Sequence, residues 1–314
     1  MDTKRILIIK LGSLGDVVQA EGVYRDIREH HSDSEIIAMT TPPYRPFFER
    51  CPWVDGVLID HRRPRWNMLE MSRLRSRLRE QSIDMVYDFQ QVKRTRFYYR
   101  HLMPEVPWMG KAPGCTFYFE NMPGTCALEQ FVHQLQCLNI ATDHVLEPDL
   151  GWMVRDMSSF LHDSGISHPY AVLVPGASAG HEKKRWPYCN QLASRLREIG
   201  ITPVIVPGPD EMDIRHHFPA AAILSNNERY LDYFELAGVF KEALFAVGND
   251  TGPMHIAAHL HLPGIVLFSD HTEPKLTGLQ HSRLQFLQVK NLQRLSVETV
   301  WQNITEQLLA SQQL

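Results

Sequence analysis

Short apolar runs alternate along the first half of the chain with longer amphipathic segments. The run at residues 6–9 is continuous and β-branched, which is typical of a central parallel strand covered on both faces. Three more runs of strand character follow, at residues 35–40, 54–60 and 83–89. Helical patterns separate them, at residues 17–29 and 47–51. This alternation predicts an α/β fold with a doubly wound sheet, whose ligands bind at the carboxyl ends of the strands.

The second half repeats the alternation. Its strands are predicted at residues 170–174, 203–206, 244–247 and 264–268, and its helices at 188–199, from about 253, and at 297–309. A helix predicted at 127–138 precedes the linker and belongs to the first half. Residues 104–123 are rich in Pro, Gly and aromatic residues without a clear period, so this stretch is predicted to be mostly loop. We expect two domains, 1–160 and 161–314, with a last helix that can pack back on the first domain.

Composition excludes several classes of protein. The 314 residues are 44% hydrophobic and 22% charged, as in an ordinary globular protein, and the net charge of −4 argues against a protein that coats nucleic acid. The five cysteines are widely spaced and odd in number, which favours reduced thiols over a disulfide framework or a zinc site. The N-terminus enters a strand at once, so we expect no signal peptide and a cytoplasmic protein.

Basic residues concentrate between residues 61 and 100, where eleven Lys and Arg face four Asp and Glu. Arg73, Arg75, Arg77 and Arg79 are spaced by two, which on a helix favours a solvated surface over a binding face. The cations after the predicted strand 83–89 lie where a ligand would sit, and arginine suits bidentate capture of phosphate or carboxylate. The candidates for an anionic partner are Arg63, Lys93, Arg94 and Arg96.

Three turns carry the candidate chemistry. Gly-Ser-Leu-Gly-Asp at 12–16 joins a strand to a helix, but it has neither the lysine of a Walker loop nor the full dinucleotide spacing. The stretch 175–187 combines small residues with a Lys-Lys-Arg run, which suits a pyrophosphate. Gly-Asn-Asp-Thr-Gly-Pro at 248–253 leads a strand into a helix, whose free N–H groups and positive dipole end form an anion site. By itself this last turn is equally compatible with an ordinary capped β–α turn.

Taken together, the motifs at 12–16, Lys-Arg-Trp-Pro at 184–187 and Asp-Thr-Gly-Pro-Met-His at 250–255 make the chain resemble glycosyltransferase family 9, the heptosyltransferases of the lipopolysaccharide inner core. The resemblance extends over the whole chain. It implies the GT-B fold, in which two Rossmann-like domains face each other across a cleft, the first for the acceptor and the second for an ADP-sugar. It also implies inverting transfer with no covalent enzyme intermediate and no tightly bound metal or other cofactor.

The resemblance assigns roles to individual residues. The catalytic base falls on Asp16, whose alternative role is to cap the following helix, and the lysine that neutralises the departing diphosphate falls on Lys184. Asp250 is expected to cap its turn or meet a sugar hydroxyl, and His255 to donate to phosphate or backbone. The donor-binding set is Gly12, Ser13, Gly15, Gly176, Arg185, Glu211, Asp250, Thr251, Gly252 and His255.

The expected function is therefore transfer of a heptose or related sugar from an ADP-sugar to an anionic, lipid-linked saccharide acceptor of the inner core. The basic cluster would serve that acceptor and a peripheral contact with the inner face of the inner membrane. Two alternatives remain open: a sugar-nucleotide epimerase of the same fold, and a non-catalytic relative that binds nucleotide sugars. The turn Ser-Asp-His-Thr-Glu-Pro at 269–274 departs from the usual family form, a difference that bears on the donor sugar more than on the reaction.

Overall fold

A computed structural model describes residues 3–176, 185–208, 217–226 and 229–311. The chain divides into two compact units, Met1–Pro148 and Asp149–Leu314. The division lies before the sequence-based boundary at 160/161, because the connecting segment is bonded to the second unit. The Leu150 N–H donates to the carbonyl of His259, and the Arg155 N–H donates to that of Phe234.

The first unit is built on one parallel sheet in the order β3-β2-β1-β4-β5-β6. Its strands are β1 Arg5–Ile9, β2 Glu35–Thr40, β3 Gly56–Ile59, β4 Met85–Asp88, β5 Trp108–Gly110 and β6 Phe117–Tyr118. Its helices are α1 Leu14–Gln19, α2 Glu21–His30, α3 Arg45–Arg50, α4 Met68–Glu80, α5 Lys93–His101 and α6 Ala127–Gln136, with a 3-10 turn at Pro42–Tyr44.

Burial explains the central position of β1. Its apolar residues from Ile6 to Ile9 are fully buried, and it pairs with β2 on one side and β4 on the other. The predicted helix at 17–29 is two helices that meet at Ala20, where the backbone leaves helical geometry (φ −83°, ψ 8°). The prediction that residues 104–123 are mostly loop is confirmed, although the stretch also contains the short strands β5 and β6. These strands are too short to show a period, and they obtain their hydrogen bonds from the sheet, where β5 pairs with β4 and β6 pairs with β5.

The second unit has the same design, with a parallel sheet in the order β12-β11-β10-β7-β8-β9. Its strands are β7 Tyr170–Val174, β8 Thr202–Ile205, β9 Ala222–Ile223, β10 Phe245–Asn249, β11 Gly264–Phe268 and β12 Leu284–Gln288. Its helices are α7 Ser158–Asp163, α8 Cys189–Glu198, α9 Tyr233–Glu242, α10 Gly252–His259 and α11 Val297–Ser311, with 3-10 turns at Gly151–Met153, Pro274–Leu276, Leu279–His281 and Leu292–Arg294.

The core of the second unit includes its last helix. Val300 and Ile304 of α11 are buried together with Leu192 and Leu196 of α8 and Ile265 of β11. Helix α11 therefore contributes to the unit in which it begins. Within the described residues, no helix has the length and apolar character needed to cross a membrane.

Each sheet, as far as the described residues define it, has its switch point at the centre. The chain runs outward from β1 to β3 and then returns to place β4 on the other side of β1. In the second unit it runs from β7 to β9 and then places β10 beside β7. Open α/β sheets bind ligands at such points, beyond the carboxyl ends of the strands. The turns after β1 and β10 therefore carry the candidate sites.

Candidate active site

The turn after β1 requires glycine at position 12. The backbone of Gly12 has φ +117°, a region that side-chain-bearing residues rarely adopt, and the ring of Tyr44 occupies the space where a β-carbon would project. Ser13 follows at the N-cap of α1, so that Gly15 and Asp16 lie in the first turn of the helix. The three predicted residues Gly12, Ser13 and Gly15 therefore shape the turn that presents Asp16.

Asp16 occupies the third helical position. Its Oδ2 atom accepts hydrogen bonds from the backbone N–H of Ser13 (2.8 Å) and from the Ser13 hydroxyl (2.9 Å), an N-terminal capping arrangement. The side chain is nonetheless exposed. Among the described residues, both hydrogen bonds end on the same oxygen, so capping and contact with a substrate hydroxyl are compatible. The role of Asp16 as a base stays a prediction.

A pocket of about 400 Å³ opens beside this turn, lined by residues 11–13, 41–44 and 60–62. Tyr44 and Arg62 are its largest polar members. Burial raises the pKa of the Tyr44 hydroxyl, Arg62 opposes that shift, and Asp16 adds to it. The tyrosine therefore stays a neutral donor at physiological pH, and it lies within electrostatic reach of both a cation and the candidate base.

Polar side chains connect the turn after β1 to the neighbouring part of the first unit. Lys10 is only 4% exposed and donates to the carbonyl of Phe89 (3.2 Å), while Gln90 accepts from the Leu11 N–H (2.7 Å). Burial lowers the pKa of Lys10, whereas Asp16 and Asp88 favour its charged form. Burial also raises the pKa of Asp88 to about 6. The turn after β1 is thus fastened to the segment that follows β4.

Arg94 is engaged inside the protein. Its Nε and Nη2 atoms donate to the two carboxylate oxygens of Asp60 (both 2.8 Å), and its Nη1 donates to the carbonyl of Arg63 (2.9 Å). The Tyr98 hydroxyl completes the cluster by donating to Asp60 (2.5 Å). Burial alone would raise the pKa of Asp60, but the hydrogen bonds from Arg94 and Tyr98 hold it below its usual value. Arg94 thus positions the loop of Arg63.

The other predicted acceptor contacts are available at the surface. Arg63, Lys93 and Arg96 are exposed. Lys93 and Arg96 line a groove of about 550 Å³ together with Arg65 and Arg100. Helix α4 carries the four arginines spaced by two. Arg73 and Arg79 are exposed, whereas Arg77 is partly buried and donates to the carbonyl of Ile59. The four arginines are therefore spread over more than one face of the helix, as expected.

In the second unit, Asn249 joins the two candidate donor turns. It is 1% exposed at the end of β10, and its Nδ2 donates to the carbonyls of Pro175 (2.7 Å) and Gly176 (3.1 Å). Its Oδ1 accepts from the Trp186 N–H (3.3 Å). The neighbouring Gly248 lets β10 pack closely on Val174 and Met254, since a β-carbon there would lie 2.7 Å from an atom of each.

Helix α10 begins at the turn as predicted. Thr251 is the N-cap, its hydroxyl donates to the carbonyl of Asn249 (3.2 Å), and Gly252 is the first helical residue. Asp250 is half-buried beside them, while Arg185, at the end of the neighbouring turn, is exposed. The dipole of α10 makes this end favourable for an anion. Whether these residues and Gly176 bind the donor stays a prediction.

Two histidines one turn apart lie buried in α10. His255 is 8% exposed and His259 is 4% exposed. Burial and the neighbouring His255, His261 and His281 lower the pKa of His259 to about 3, so it is neutral at physiological pH. His255 lies one turn inside the helix, where its contact with phosphate stays a prediction.

Two residues assigned from the resemblance, Lys184 and Glu211, lie outside the described residues. The sequence did not identify the polar side chains that hold the two candidate turns in place, which are Lys10, Asp88, Gln90 and Asn249. The available signal was a polar residue at the end of an apolar strand, where burial is expected.

One group of possible metal ligands lies away from these turns. Asp26, Glu29 and His144 offer ligand atoms within 4.8 Å of one another. These groups are hydrogen-bonded to one another, because the backbone N–H of His144 donates to Asp26 and the ring of His144 is hydrogen-bonded to Glu29. The expectation that the reaction needs no bound metal stays a prediction.

Comparison with known proteins places the chain. The model of glycosyltransferase family 9 (heptosyltransferase) matches residues 128–304. A curated relative, lipopolysaccharide heptosyltransferase 1 of Pseudomonas aeruginosa, is 27% identical over 306 residues, which cover 87% of this chain and 81% of the relative. A solved glycosyl transferase family 9 structure from Veillonella parvula has a TM-score of 0.83 at 18% identity and covers 98% of both chains.

The heptosyltransferase WaaC of E. coli, solved with ADP-2-deoxy-2-fluoro heptose, has a TM-score of 0.76 at 19% identity and covers 96% of this chain and 99% of its own. The UDP-GlcNAc 2-epimerase of Methanocaldococcus jannaschii is more distant, with a TM-score of 0.57 at 13% identity, covering 99% of this chain and 92% of its own.

Two Rossmann-like α/β units match the solved heptosyltransferases of the GT-B fold, which confirms the predicted fold class. The family model covers more than half of the sequence. The chain belongs to glycosyltransferase family 9, the heptosyltransferase family, and it is a glycosyltransferase.

Proposed function

We propose that the protein transfers a heptose from ADP-heptose to a lipid-linked saccharide of the lipopolysaccharide inner core. The names of its relatives, a lipopolysaccharide heptosyltransferase and a heptosyltransferase bound to an ADP-heptose analogue, support this donor and this acceptor class. The observation that carries the proposal is the exposed carboxylate of Asp16, held by Ser13 through one oxygen beside a pocket that contains Arg62.

Asp16 acts as the general base in the proposed reaction. The acceptor hydroxyl donates its proton to the carboxylate as its oxygen attacks the anomeric carbon, and the bond from that carbon to the diphosphate breaks on the opposite side. A single displacement inverts the anomeric configuration. Positioned proton transfer of this kind contributes about 10²–10⁴-fold to a rate. Arg62 and Arg63 attract the acidic groups of the acceptor.

The second unit holds the leaving group. The first N–H groups of α10 and the turn at Gly176 receive the diphosphate, and Arg185 adds positive charge. Asn249 fixes the two turns relative to each other. The lysine at position 184 adds a further cation that stabilises the departing ADP.

Replacement of the base tests the proposal. Asp16→Asn keeps an oxygen that accepts from Ser13, so we expect normal folding and ADP affinity with turnover lowered about 10²–10⁴-fold. The assay measures ADP release from ADP-heptose with heptose-less lipopolysaccharide as acceptor. Asp33→Asn, an exposed aspartate at the end of the turn after α2, is the matched control and should keep wild-type turnover. An Asp16→Asn enzyme with wild-type turnover would contradict the assigned base.

An assay without the acceptor distinguishes sugar transfer from epimerisation of the donor. A transferase releases ADP only when the acceptor is present, whereas an epimerase converts its nucleotide sugar without one. Product formation from the donor alone, at a rate equal to the complete reaction, would favour the epimerase alternative over transfer.

A further inference from the structure

An exposed apolar segment lies at the start of α4. Trp66 is 81% exposed, Met68 is 76% exposed and Leu69 is 61% exposed. Large apolar side chains that are this exposed and lie within four residues of one another mark an interaction surface. Asn67 lies between them and caps the helix by accepting from the Glu70 N–H (3.2 Å), so the segment has a defined structure.

Cations surround this segment. Arg62, Arg63 and Arg65 precede it and are all exposed. Arg65 donates to the carbonyl of Lys93 (3.3 Å), and its guanidinium lies 5.8 Å from the centre of the Phe97 ring. These contacts join the apolar segment to α5 and to the groove of about 550 Å³ that Arg65, Lys93, Arg96 and Arg100 line.

The same surface continues to the edge of the sheet. Tyr118 of β6 is 52% exposed and Phe117 is 41% exposed. Arg96 is an electrostatic neighbour of Tyr118 and of Lys111. The nearby acids have partners of their own, since Glu70 accepts from Arg73 and Glu120 accepts from the Tyr118 hydroxyl. The surface therefore combines a cationic field with aromatic and aliphatic side chains.

We propose that this surface, formed by residues 62–69, helix α5 and β6, docks on an anionic phospholipid bilayer, with Trp66, Met68 and Leu69 inserted among the headgroups. Interfacial membrane-binding elements combine apolar side chains that insert with Lys and Arg that attract anionic lipid, and Trp and Tyr favour the headgroup level. Charge complementarity selects an anionic surface as the occupant. This element lies on the membrane without crossing it.

The position of the surface also suits the proposed function, on which this part of the inference rests. Arg62 belongs both to the docking surface and to the lining of the 400 Å³ pocket beside Asp16. A lipid-linked acceptor stays at the bilayer, so a docking surface next to the pocket raises the local concentration of the acceptor at the base.

Vesicle flotation of the full-length protein tests the proposal. We expect binding to phosphatidylcholine vesicles that contain phosphatidylglycerol, weakening as salt is added. The triple variant Trp66→Ser/Met68→Ser/Leu69→Ser should lower the partition coefficient at least about tenfold. Each cation removed in Arg65→Gln and Arg96→Gln should lower it about fivefold. The matched control Ile199→Ser/Leu276→Ser/Leu309→Ser removes three exposed apolar side chains of the second unit and should bind like wild type.

Fluorescence locates the inserted side chain. Lipids brominated near the headgroup should quench part of the tryptophan emission in wild type, and this quenching should be lost in Trp66→Phe. Absence of vesicle binding by the wild type, equal binding by the Trp66 triple variant, or quenching that survives in Trp66→Phe would each overturn the proposal. Those results would leave an acidic protein partner as the alternative occupant.

Turnover distinguishes this inference from the proposed function. The Trp66 triple variant should keep wild-type turnover on a delipidated, water-soluble acceptor and lose it on acceptor embedded in anionic vesicles. If the proposed reaction is wrong, no acceptor supports ADP release, while the vesicle-binding results still hold. Equal turnover of wild type and variant on the embedded acceptor would overturn the docking surface alone.

Discussion

The buried amide of Asn249 gives the sharpest test of how the proposed donor site is built. It makes three hydrogen bonds across the switch point of the second sheet, at 2.7, 3.1 and 3.3 Å. Replacement by alanine leaves the carbonyls of Pro175 and Gly176 and the N–H of Trp186 without this partner in a buried site. At a net contribution of about 0.5–1.5 kcal/mol for each bond, we expect Asn249→Ala to destabilise the second unit by about 3 kcal/mol.

Asn249→Asp tests the hydrogen bonds that the amide donates separately from the one that it accepts. A carboxylate still accepts from the Trp186 N–H, but it sets a negative charge against two carbonyl oxygens. We therefore expect Asn249→Asp to be at least as destabilising as the alanine variant, despite its nearly unchanged volume. The matched control is Asn303→Ala on the surface of α11, whose amide donates to the carbonyl of Thr299 one turn away (2.8 Å). It should stay within about 0.5 kcal/mol of wild type.

Urea unfolding followed by tryptophan fluorescence measures these free energies. Trp186 is 4% exposed in the affected region, and the transition of the second unit is recognised by its shift when ADP is added. The ADP affinity of Asn249→Ala should fall at least about fivefold, because binding must then order the two turns. If the free energy of unfolding of Asn249→Ala stayed within 0.5 kcal/mol of wild type, the proposed role of Asn249 in holding the two turns together would be refuted. A full destabilisation with unchanged ADP affinity would also refute it, and would make Asn249 a stabilising residue alone.

Two further perturbations test buried charges. The pKa of His259 is lowered from 6.5 to about 3 in the folded state, so the unfolded chain takes up the proton first as the pH falls. Stability present at pH 7 should therefore decline by roughly 2 kcal/mol by pH 5. His259→Leu should remove that part of the decline in urea titrations at the two pH values, and equal pH slopes in both proteins would contradict the assignment. Asp60→Ala leaves Arg94 buried without its carboxylate and should destabilise the first unit by about 3–5 kcal/mol by the same method. A loss below 1 kcal/mol would show that Arg94 finds water or another acceptor.

The central strands were predictable because burial on both faces removes polar residues from them. The predicted limits at 35–40, 170–174 and 264–268 are those of β2, β7 and β11. Edge strands lack this signal. Both residues of β6 are exposed, and Leu284 is the one buried residue of β12, so their strand geometry depends on a neighbour that a local pattern cannot show.

Arg94 illustrates the same limit within the candidate site. An arginine that follows a strand suits a ligand contact, and this was the interpretation from sequence. Its partner Asp60 lies 34 residues earlier and ends a different segment, so only the fold brings the two side chains together. Arg63 and Arg96 have the same local signal and are exposed. The sequence therefore locates the basic cluster. Tertiary contacts then distinguish Arg94, which is bonded within the protein, from the exposed cations that can meet a ligand.

The supports of the two candidate turns follow one rule that the motifs alone do not express. Gln90, just after β4, accepts from the turn after β1, and Asn249, at the end of β10, donates to the turn after β7. Both pairs of strands are the switch-point neighbours of their sheets. At such a point the two loops leave in opposite directions, so the crevice between them cannot be closed by backbone hydrogen bonds. An amide side chain fills that role and holds the two loops together at the point where a ligand is predicted to bind.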